Sequence, residues 1–371
     1  MNEYDQFRPA PWNSLYLEPN GKIENCCVGR SELGNINDTD VTEIVLGQKN
    51  IKIQQDMLDN NIVEGCKWCH HKTDTLQSMM VERYPRDRED KLFDTTGNFK
   101  LEYLDARWSN TCNLACIYCG PNLSSLWAQE LKQEHRIERS DKHKMLSYVL
   151  EHIKDMKYVY LAGGEPLLMK ENEAVVEAIV KENPECRVLV NTNLLNIRNN
   201  RIFEGLTKLP NCEWLVSVEG TQDQYEYIRY PGKWSEFESN LLLLKDKVGA
   251  DKVKFNMVFM SLNGRTMWDT VDWLINAGLQ VHQFSAALYN NGVYDGPFDI
   301  RYLPVDQQQQ ILDRMNSQVY QKMTGWQNCF DYVNKLVYNK STRPITRLQE
   351  LDASRNLNSR QTFPNMYQPL T

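Results

Sequence analysis

Residues 101–120 read LEYLDARWSNTCNLACIYCG, a short apolar run followed directly by a loop with three cysteines. The run 101–108 is rich in aliphatic and aromatic residues, and it predicts a buried β-strand. Cys112, Cys116 and Cys119 have the spacing C-x3-C-x2-C, whereas structural zinc sites and most iron–sulfur clusters have four protein ligands. A site with three thiolates leaves one coordination position open, and a substrate or cofactor can bind there.

Downstream of this strand, short apolar runs alternate with longer amphipathic segments up to about residue 288. Such alternation is typical of βαβ units with right-handed crossovers and a parallel sheet. The repeats are too few for a closed eight-stranded barrel, so the sequence predicts an α/β fold built on a partial (β/α)6 parallel barrel. The predicted strands are 101–108, 158–163, 187–192, 213–218, 252–260 and 280–288, and the helices between them include 171–183, 234–248 and 266–278.

Polar motifs follow the predicted strands at the points where the strands end. CNLACIYC follows the first strand, GGEP (163–166) follows the second, NTN (191–193) closes the third and SVEG (217–220) closes the fourth. In parallel α/β folds, functional residues gather at the carboxyl ends of the strands. Each motif alone is equally consistent with a turn that ends a strand. Their order along the chain predicts one functional site at this edge of the sheet.

Length and pattern predict three parts within the 371 residues. Residues 1–95 form a small cysteine-rich domain that buries too little apolar surface to be stable without a metal. Residues 96–300 form the barrel. Residues 301–371 form a helical C-terminal extension, with a helix over 304–323 and an irregular tail from about Ser341.

The charge and the apolar content of the chain indicate which partners to expect and in which cellular compartment the protein lies. The net charge is −7 and the basic residues form no stripe, so we do not expect a nucleic acid as partner. The longest aliphatic run, Leu241 to Leu244, is too short to span a bilayer, and no signal peptide is evident, which predicts a soluble cytoplasmic protein. A reducing cytoplasm would keep the ten cysteines as thiols. We expect Cys186, Cys212 and Cys329 to be small buried apolar residues.

With the strand ends included, the chain resembles the radical S-adenosylmethionine (SAM) superfamily over about residues 106–288. The hallmark loop C-x3-C-x-aromatic-C of that family is matched by Cys112, Cys116, Tyr118 and Cys119. The resemblance implies a [4Fe–4S] cluster on the three cysteines, with SAM on the open iron. One-electron cleavage of SAM would then form a 5′-deoxyadenosyl radical that abstracts hydrogen from a substrate. A zinc knuckle with a fourth ligand elsewhere is the structural alternative.

The same resemblance implies the residues that bind SAM, although it identifies no general base. The two glycines of GGEP allow close approach of backbone to ligand. Arg229 stands twelve residues after Ser217, and a guanidinium could hold the SAM carboxylate by two hydrogen bonds, unless it is a surface arginine. The predicted cofactor-binding residues are Tyr118, Gly163, Gly164, Glu165, Pro166, Asn193, Ser217, Glu219 and Arg229.

The segments NGKIENCCVGRSELGNI (20–36) and GCKWCHH (65–71) resemble the SPASM or twitch auxiliary-cluster region. In related proteins this region usually follows the barrel, whereas here it precedes it. The resemblance implies an auxiliary iron–sulfur cluster with Cys27, Cys66 and Cys69 as ligands, joined by Cys26. Because neighbouring side chains of an extended segment point to opposite faces, Cys26 can join Cys27 only if the backbone bends there.

Two other sites are compatible with these N-terminal cysteines. A zinc site would use Cys27, Cys66 and Cys69 with either Cys26 or His70. The sequence CKWCH also matches the attachment pattern of a c-type haem, but covalent haem attachment belongs with exported proteins and no export signal is evident.

The sequence therefore predicts a radical SAM enzyme that acts on a peptide or protein side chain. A sugar or nucleotide substrate is the alternative within the enzyme class. The alternatives outside it are a non-catalytic iron–sulfur electron-transfer protein and a zinc-stabilised interaction module. The enzyme would need an external one-electron reductant, such as a flavodoxin- or ferredoxin-like protein.

Overall fold

A computed structural model describes residues 9–27, 29, 31–66, 98–133, 142–289, 296–336 and 342–367. The chain falls into two compact units, each made of several segments. The first unit comprises Met1–Cys112, Pro121–Thr192 and Asn196–Glu213. The second unit comprises Asn113–Gly120, Asn193–Leu195 and Trp214–Thr371.

Six strands of the first unit lie in its described residues, in the spatial order β3-β2-β1-β4-β5-β6. β1 pairs parallel with β4, β4 with β5 and β5 with β6, whereas β2 runs antiparallel to both of its neighbours. Every residue of β1, β4 and β5 is buried, which explains why these segments are mostly apolar. Their bounds are β1 (Ser14–Leu17), β2 (Lys22–Glu24), β3 (Glu32–Asn35), β4 (Tyr103–Ala106), β5 (Tyr158–Leu161) and β6 (Arg187–Thr192).

The helices of the first unit cover its sheet and the N-terminal segment. α6 buries Val175, Val176 and Ile179, which repeat at helical spacing. The side chains of Ser124 and Asn200 each accept a backbone N–H at the start of α4 and α7 and so cap those helices. The bounds are α1 (Ala10–Asn13), α2 (Val41–Val45), α3 (Gln48–Leu58), α4 (Ser125–Glu130), α5 (Lys142–Glu151), α6 (Lys170–Glu182) and α7 (Arg201–Leu206).

The second unit is built on the parallel strands β7 (Cys212–Ser217, in this unit from Trp214), β8 (Val253–Phe259) and β9 (Phe284–Leu288). Phe255 of β8 lies opposite Val216 of β7 and Phe284 of β9. The helices are α8 (Gln222–Ile228), α9 (Trp234–Val248), α10 (Met267–Asn276), α11 (Val305–Met315), α12 (Trp326–Asn334), α13 (Arg343–Arg355) and α14 (Ser359–Thr362).

The predicted fold class is confirmed, because the sheet is mostly parallel, helices alternate with its strands and the C-terminal part is helical. Each of the six predicted strands is present within a few residues of its expected bounds. The predicted strand 280–288 begins with a 3-10 turn, Val281–Gln283, before β9. No helix among the described residues is long and apolar enough to cross a membrane.

The expected irregular tail after Ser341 is wrong, because α13 and α14 lie there. α13 buries Pro344, Leu348 and Leu351, and the Tyr227 hydroxyl donates to Asp352 Oδ1 of the same helix at 2.8 Å. Only one face of α13 is apolar in an otherwise polar segment, so its helical periodicity is weak in the sequence.

The N-terminal segment is also more regular than the sequence indicates. Strands β1 to β3 are only three or four residues long, too short for a reliable period-2 pattern. β1, within the predicted domain 1–95, pairs directly with β4 of the predicted barrel 96–300. The three-part division itself, including 301–371, stays a prediction.

The burial of α9 gives a test of the second unit. Leu241 is 0% exposed and its neighbour Leu242 is 51% exposed. Replacing Leu241 by alanine should lower the free energy of unfolding by about 2–5 kcal/mol, because it leaves a cavity in a packed core. Leu242→Ala should change it by less than about 0.5 kcal/mol. Urea denaturation of both variants measures the difference, and equal losses would show that α9 does not bury the face described.

Candidate functional site

The start of the three-cysteine loop lies in the first unit, where β4 ends. The half-buried Cys112 is held by Ser125, whose hydroxyl accepts the Cys112 N–H at 3.1 Å and donates to the Cys112 carbonyl at 3.2 Å. The N–H groups of Gly164 and Glu165 donate to the carbonyls of Ser109 and Thr111 at 3.2 and 2.7 Å. Backbone hydrogen bonds therefore join the GGEP turn to the residues that lead into the loop.

The glycines of GGEP are required by this close packing of backbone on backbone. A Cβ at Gly164 would overlap the carbonyl oxygen of Thr111 and lie 2.7 Å from the carbonyl carbon of Asn110. Gly163 has φ +114°, a conformation that residues with a side chain rarely adopt. The sequence argument attributed the glycines to a ligand, but the structure shows that the protein itself needs them.

The other two residues of GGEP are buried. Glu165 is 1% exposed, and its Oε1 accepts from the Thr192 hydroxyl at 2.7 Å and from the Leu167 N–H at 3.1 Å. Pro166 begins the 3-10 turn Pro166–Leu168. The carboxylate thus ties the end of β6 to this turn, and contact with a SAM ammonium group stays a prediction.

The remainder of the cysteine loop lies in the second unit and is attached to the end of α8. The N–H groups of Ala115 and Ile117 donate to the carbonyls of Tyr230 and Ile228 at 2.7 and 2.9 Å. The N–H of Cys119 donates to the carbonyl of Cys116 at 2.9 Å. These bonds fix the backbone that carries Cys116 and Cys119.

Arg229 lies at the centre of this part of the site. It is 3% exposed, so the alternative of a surface arginine is wrong. Its Nε donates to Glu219 Oε2 at 2.6 Å, its Nη2 to the Tyr118 hydroxyl at 2.8 Å and its Nη1 to Cys116 Sγ at 3.8 Å. One guanidinium therefore connects the end of β7 with two residues of the cysteine loop.

The charges and hydrogen bonds around Arg229 favour the thiolate form of Cys116. A hydrogen bond with Cys119 lowers the pKa of Cys116, and the charge of Arg229 lowers it further against the opposing effect of burial. Burial raises the pKa of Glu219, while Arg229 acts in the opposite direction. Because the thiolate is the form that binds iron, the donor set at Cys116 fits an iron–sulfur cofactor.

Asn193 directly follows β6, and Ser217 is the last residue of β7. The Asn193 side chain donates to Asn113 Oδ1 at 2.8 Å and accepts from the Leu195 N–H at 3.0 Å, so it holds the start of the cysteine loop. Ser217 is the half-buried last residue of β7. Contact of either residue with a cofactor stays a prediction.

Two of the N-terminal cysteines, Cys26 and Cys66, lie close to Gly29 in the first unit. A Cβ at Gly29 would lie 3.7 Å from Cys66 Sγ and 3.8 Å from Cys26 Cβ. The backbone bends at Asn25 and Cys27, and a hydrogen bond with Cys26 is the main cause that raises the pKa of Cys27. The bend that a shared site requires is therefore present.

The ligand assignment of the auxiliary site stays a prediction, because Cys69 and the alternative ligand His70 lie outside the described residues. Within the described ranges, no three His, Cys, Asp or Glu side chains are grouped at the position of a single metal ion. The thiol donors are the type that iron–sulfur clusters use. Cys186, Cys212 and Cys329 are buried, as expected.

A cavity of about 380 Å³ opens beside the GGEP turn, within the first unit. Arg107, which follows β4, lines it and pairs with Asp105 through Nε and Nη2 at 3.0 and 3.2 Å. Its guanidinium lies 4.9 Å from the centre of the Tyr16 ring. Sequence reasoning did not select Arg107, although a charged residue at the end of a buried strand was a usable signal.

Comparison with known proteins gives two domain matches. Residues 107–274 match the radical SAM superfamily, and residues 9–70 match SPASM, an iron–sulfur cluster-binding domain. The two matches confirm the resemblance drawn from the sequence, including the position of the cluster-binding region before the barrel. A radical SAM domain implies a [4Fe–4S] cluster and SAM, and a SPASM domain implies auxiliary iron–sulfur binding.

Two curated relatives are GTP 3′,8-cyclases. The protein from Nautilia profundicola is 26% identical over 205 residues, which are 53% of this chain and 59% of the relative. The protein from Pectobacterium atrosepticum is 28% identical over 188 residues, 49% of this chain and 54% of the relative. The chain thus spans little more than half the length of these relatives.

Two solved structures that match the chain are more distant in sequence. The structure of anSMEcpe with bound AdoMet and the Cp18Cys peptide is 16% identical, covers 58% of each chain and has a TM-score of 0.41. Streptococcus suis SuiB bound to S-adenosylmethionine is 14% identical, covers 83% of this chain and 68% of its own, and has a TM-score of 0.38.

The packing of Gly164 gives one prediction for the site. Gly164→Ala should lower the free energy of unfolding by about 1–3 kcal/mol or more, because its Cβ would collide with backbone. Gly120→Ala is the matched control, since nothing lies within 4 Å of a Cβ at Gly120. Urea denaturation measures both, and a Gly164→Ala variant as stable as the control would rule out the close packing.

The buried ion pair gives a second prediction. Arg229→Gln should lower the free energy of unfolding by about 3–5 kcal/mol, because it leaves the Glu219 carboxylate buried without its cation. The double variant Glu219→Gln, Arg229→Gln leaves no unpaired charge and should lose less than the sum of the two single variants. Additive losses in a double-mutant cycle would show that the two side chains do not act as a pair.

Proposed function

Residues 107–274 belong to the radical SAM superfamily, and on that premise we propose that this protein reductively cleaves SAM and abstracts hydrogen from a substrate. The observation that carries the proposal is the buried Arg229, which donates to both Cys116 and Tyr118 of the three-cysteine loop. When bound, the [4Fe–4S] cluster and SAM supply one-electron cleavage and a 5′-deoxyadenosyl radical. An external flavodoxin- or ferredoxin-like protein supplies the electron.

The protein's contribution is to hold the cofactor groups in place. The thiolates of Cys112, Cys116 and Cys119 ligate the cluster, and the fixed backbone of the loop sets the direction of these thiolates. Arg229 stabilises the charged form of Cys116. Removal of any one thiolate would leave the cluster with too few protein ligands.

Arg229 keeps hydrogen-bonding capacity for SAM. A guanidinium has five N–H donors, and Glu219, Tyr118 and Cys116 occupy three different nitrogens. Among the described residues no other partner binds this guanidinium, so one N–H on Nη1 and one on Nη2 can hold the SAM carboxylate. Glu219 then acts mainly by orienting Arg229.

The other SAM contacts follow the resemblance. The resemblance assigns the SAM ammonium group to the backbone of Gly163, Gly164 and Pro166 with Glu165. It assigns further cofactor contacts to Tyr118, Asn193 and Ser217. Glu165 and Asn193 are buried, and Tyr118 and Ser217 are half-buried.

The SPASM region holds the auxiliary cluster with Cys26, Cys27, Cys66 and Cys69. The approach of Cys26 and Cys66 at Gly29 and the bend at Cys27 support this ligand set. When bound there, an auxiliary cluster would supply either an acceptor for an electron from the substrate or an anchor for the substrate.

The substrate we propose is a peptide or protein side chain, because auxiliary domains of the SPASM type often accompany peptide modification. A nucleotide is the second candidate, favoured by the similarity to GTP 3′,8-cyclases over about half of the chain. Anaerobic incubation of the reduced holoprotein with GTP distinguishes the two, since formation of a new nucleotide would favour the second candidate.

Loss of one cluster ligand tests the cleavage of SAM. Cys116→Ala should abolish formation of 5′-deoxyadenosine by the dithionite-reduced protein, because the cluster loses one of three thiolates. Cys329→Ala removes a buried thiol in α12 and should keep the activity. Chromatography of the product measures both variants, and undiminished cleavage by Cys116→Ala would refute the assignment of the cluster to this loop.

A further inference from the structure

We propose that the cavity beside GGEP binds a neutral, amide-bearing segment of the substrate, with the free edge of the Arg107 guanidinium as its main donor. This inference rests on the proposed function and adds to it a binding site outside the predicted SAM contacts. The cavity volume of about 380 Å³ lies in the range of ligand-binding pockets.

The walls of the cavity come from both matched domains. Tyr16, Glu18 and Asn20 belong to the SPASM match, whereas Arg107 and Gly163 belong to the radical SAM match. These residues all lie in the first unit, where β1 pairs with β4 and β4 with β5. A ligand in this cavity therefore touches both domains and the turn at which we place the SAM ammonium group.

The Arg107 guanidinium has two edges that can donate hydrogen bonds: Asp105 holds one, and the other is available to the cavity. Asp105, which is 0% exposed, accepts from Nε and Nη2, and the Tyr16 ring lies 4.9 Å from the guanidinium. The Arg107 side chain stays 26% exposed, and Nη1 has no hydrogen-bond partner among the described residues. The edge formed by Nη1 and the second hydrogen of Nη2 can hold one acceptor by two hydrogen bonds.

Charge decides which acceptor fits this edge. Asp105, behind the cavity lining, already neutralises Arg107, and among the described lining residues Glu18 is the one with a carboxyl group. A carboxylate or phosphate would add negative charge to a site without a second cation among its described lining, and burying an unbalanced charge is unfavourable. A carbonyl oxygen accepts the same two hydrogen bonds without adding charge.

The remaining lining suits an amide chain. The side chains of Asn20 and Asn122 carry both donors and acceptors, and Ser109 adds a hydroxyl. Tyr16, Pro19 and Leu123 supply apolar surface between these groups. A peptide main chain alternates carbonyls and N–H groups in the same way, whereas a nucleoside triphosphate requires cations that the described lining lacks.

The test uses N-acetyl-triglycine amide as the neutral probe and tripolyphosphate as the anionic competitor. Saturation-transfer NMR is recorded on the anaerobic holoprotein, first without SAM and then after SAM or tripolyphosphate is added. We expect transfer from the protein to the peptide probe, and we expect neither tripolyphosphate nor SAM to displace it. Displacement by SAM would overturn the inference by showing that the cavity belongs to the SAM site, and displacement by tripolyphosphate would show that it prefers an anion.

Two variants locate the probe. Arg107→Gln keeps one donor for Asp105 but removes the free edge, and should weaken binding by about tenfold or more. Asn122→Trp places a large ring at an exposed position of the cavity lining and leaves the Arg107–Asp105 pair unchanged. This variant should also weaken binding of the probe. Arg201→Gln, at an exposed ion pair with Glu173, is the control and should bind like the native protein. Native-like binding by both pocket variants would overturn the inference.

Failure of this inference is distinguishable from failure of the proposed function. Formation of 5′-deoxyadenosine by the native protein reports on SAM cleavage and does not depend on the probe. SAM cleavage without probe binding would reject the cavity alone.

Discussion

The buried ion pair between Arg229 and Glu219 is the interaction on which the rest of the site depends. Both residues are at most 3% exposed, so each charge has lost its water and needs the other. The guanidinium also holds Cys116 and Tyr118, which makes the cysteine loop part of the same network. A short loop without regular structure thereby gains a fixed position at the end of a parallel strand. The charge that stabilises the pair also favours a thiolate at Cys116.

The order of strands β4 to β9 could be predicted from the sequence, because β4 and β5 are buried throughout and the later strands are largely apolar. The cysteine loop and the motifs after successive strands could also be predicted, because functional residues of a parallel sheet follow the carboxyl ends of its strands. Burial of Arg229 could not, because Glu219 is ten residues away and no local pattern shows that the two side chains meet. The short strands β1 to β3 and the mostly polar α13 likewise depend on tertiary pairing and packing, which a single sequence does not display.

The glycines of GGEP have a structural role that the sequence argument did not foresee, while their contact with SAM stays a prediction. They are needed because the backbone of the turn packs against Asn110 and Thr111, immediately before Cys112. This packing joins the GGEP turn to the start of the cysteine loop. Gly163 and Gly164 of the turn also line the cavity that Arg107 lines. The sites proposed for SAM and for an amide segment therefore share one wall. The shared wall would bring SAM close to the amide segment of the substrate that the cavity binds.

Iron and sulfide per chain, measured after anaerobic reconstitution, test the central claim most directly. The native protein is compared with a variant in which Cys112, Cys116 and Cys119 are all alanine. Two separate [4Fe–4S] clusters predict about eight irons in the native protein and about four in the variant. About four irons falling to none, with zinc in the remainder, would contradict the auxiliary cluster. An iron content that the triple substitution leaves unchanged would contradict the cluster in the barrel loop itself.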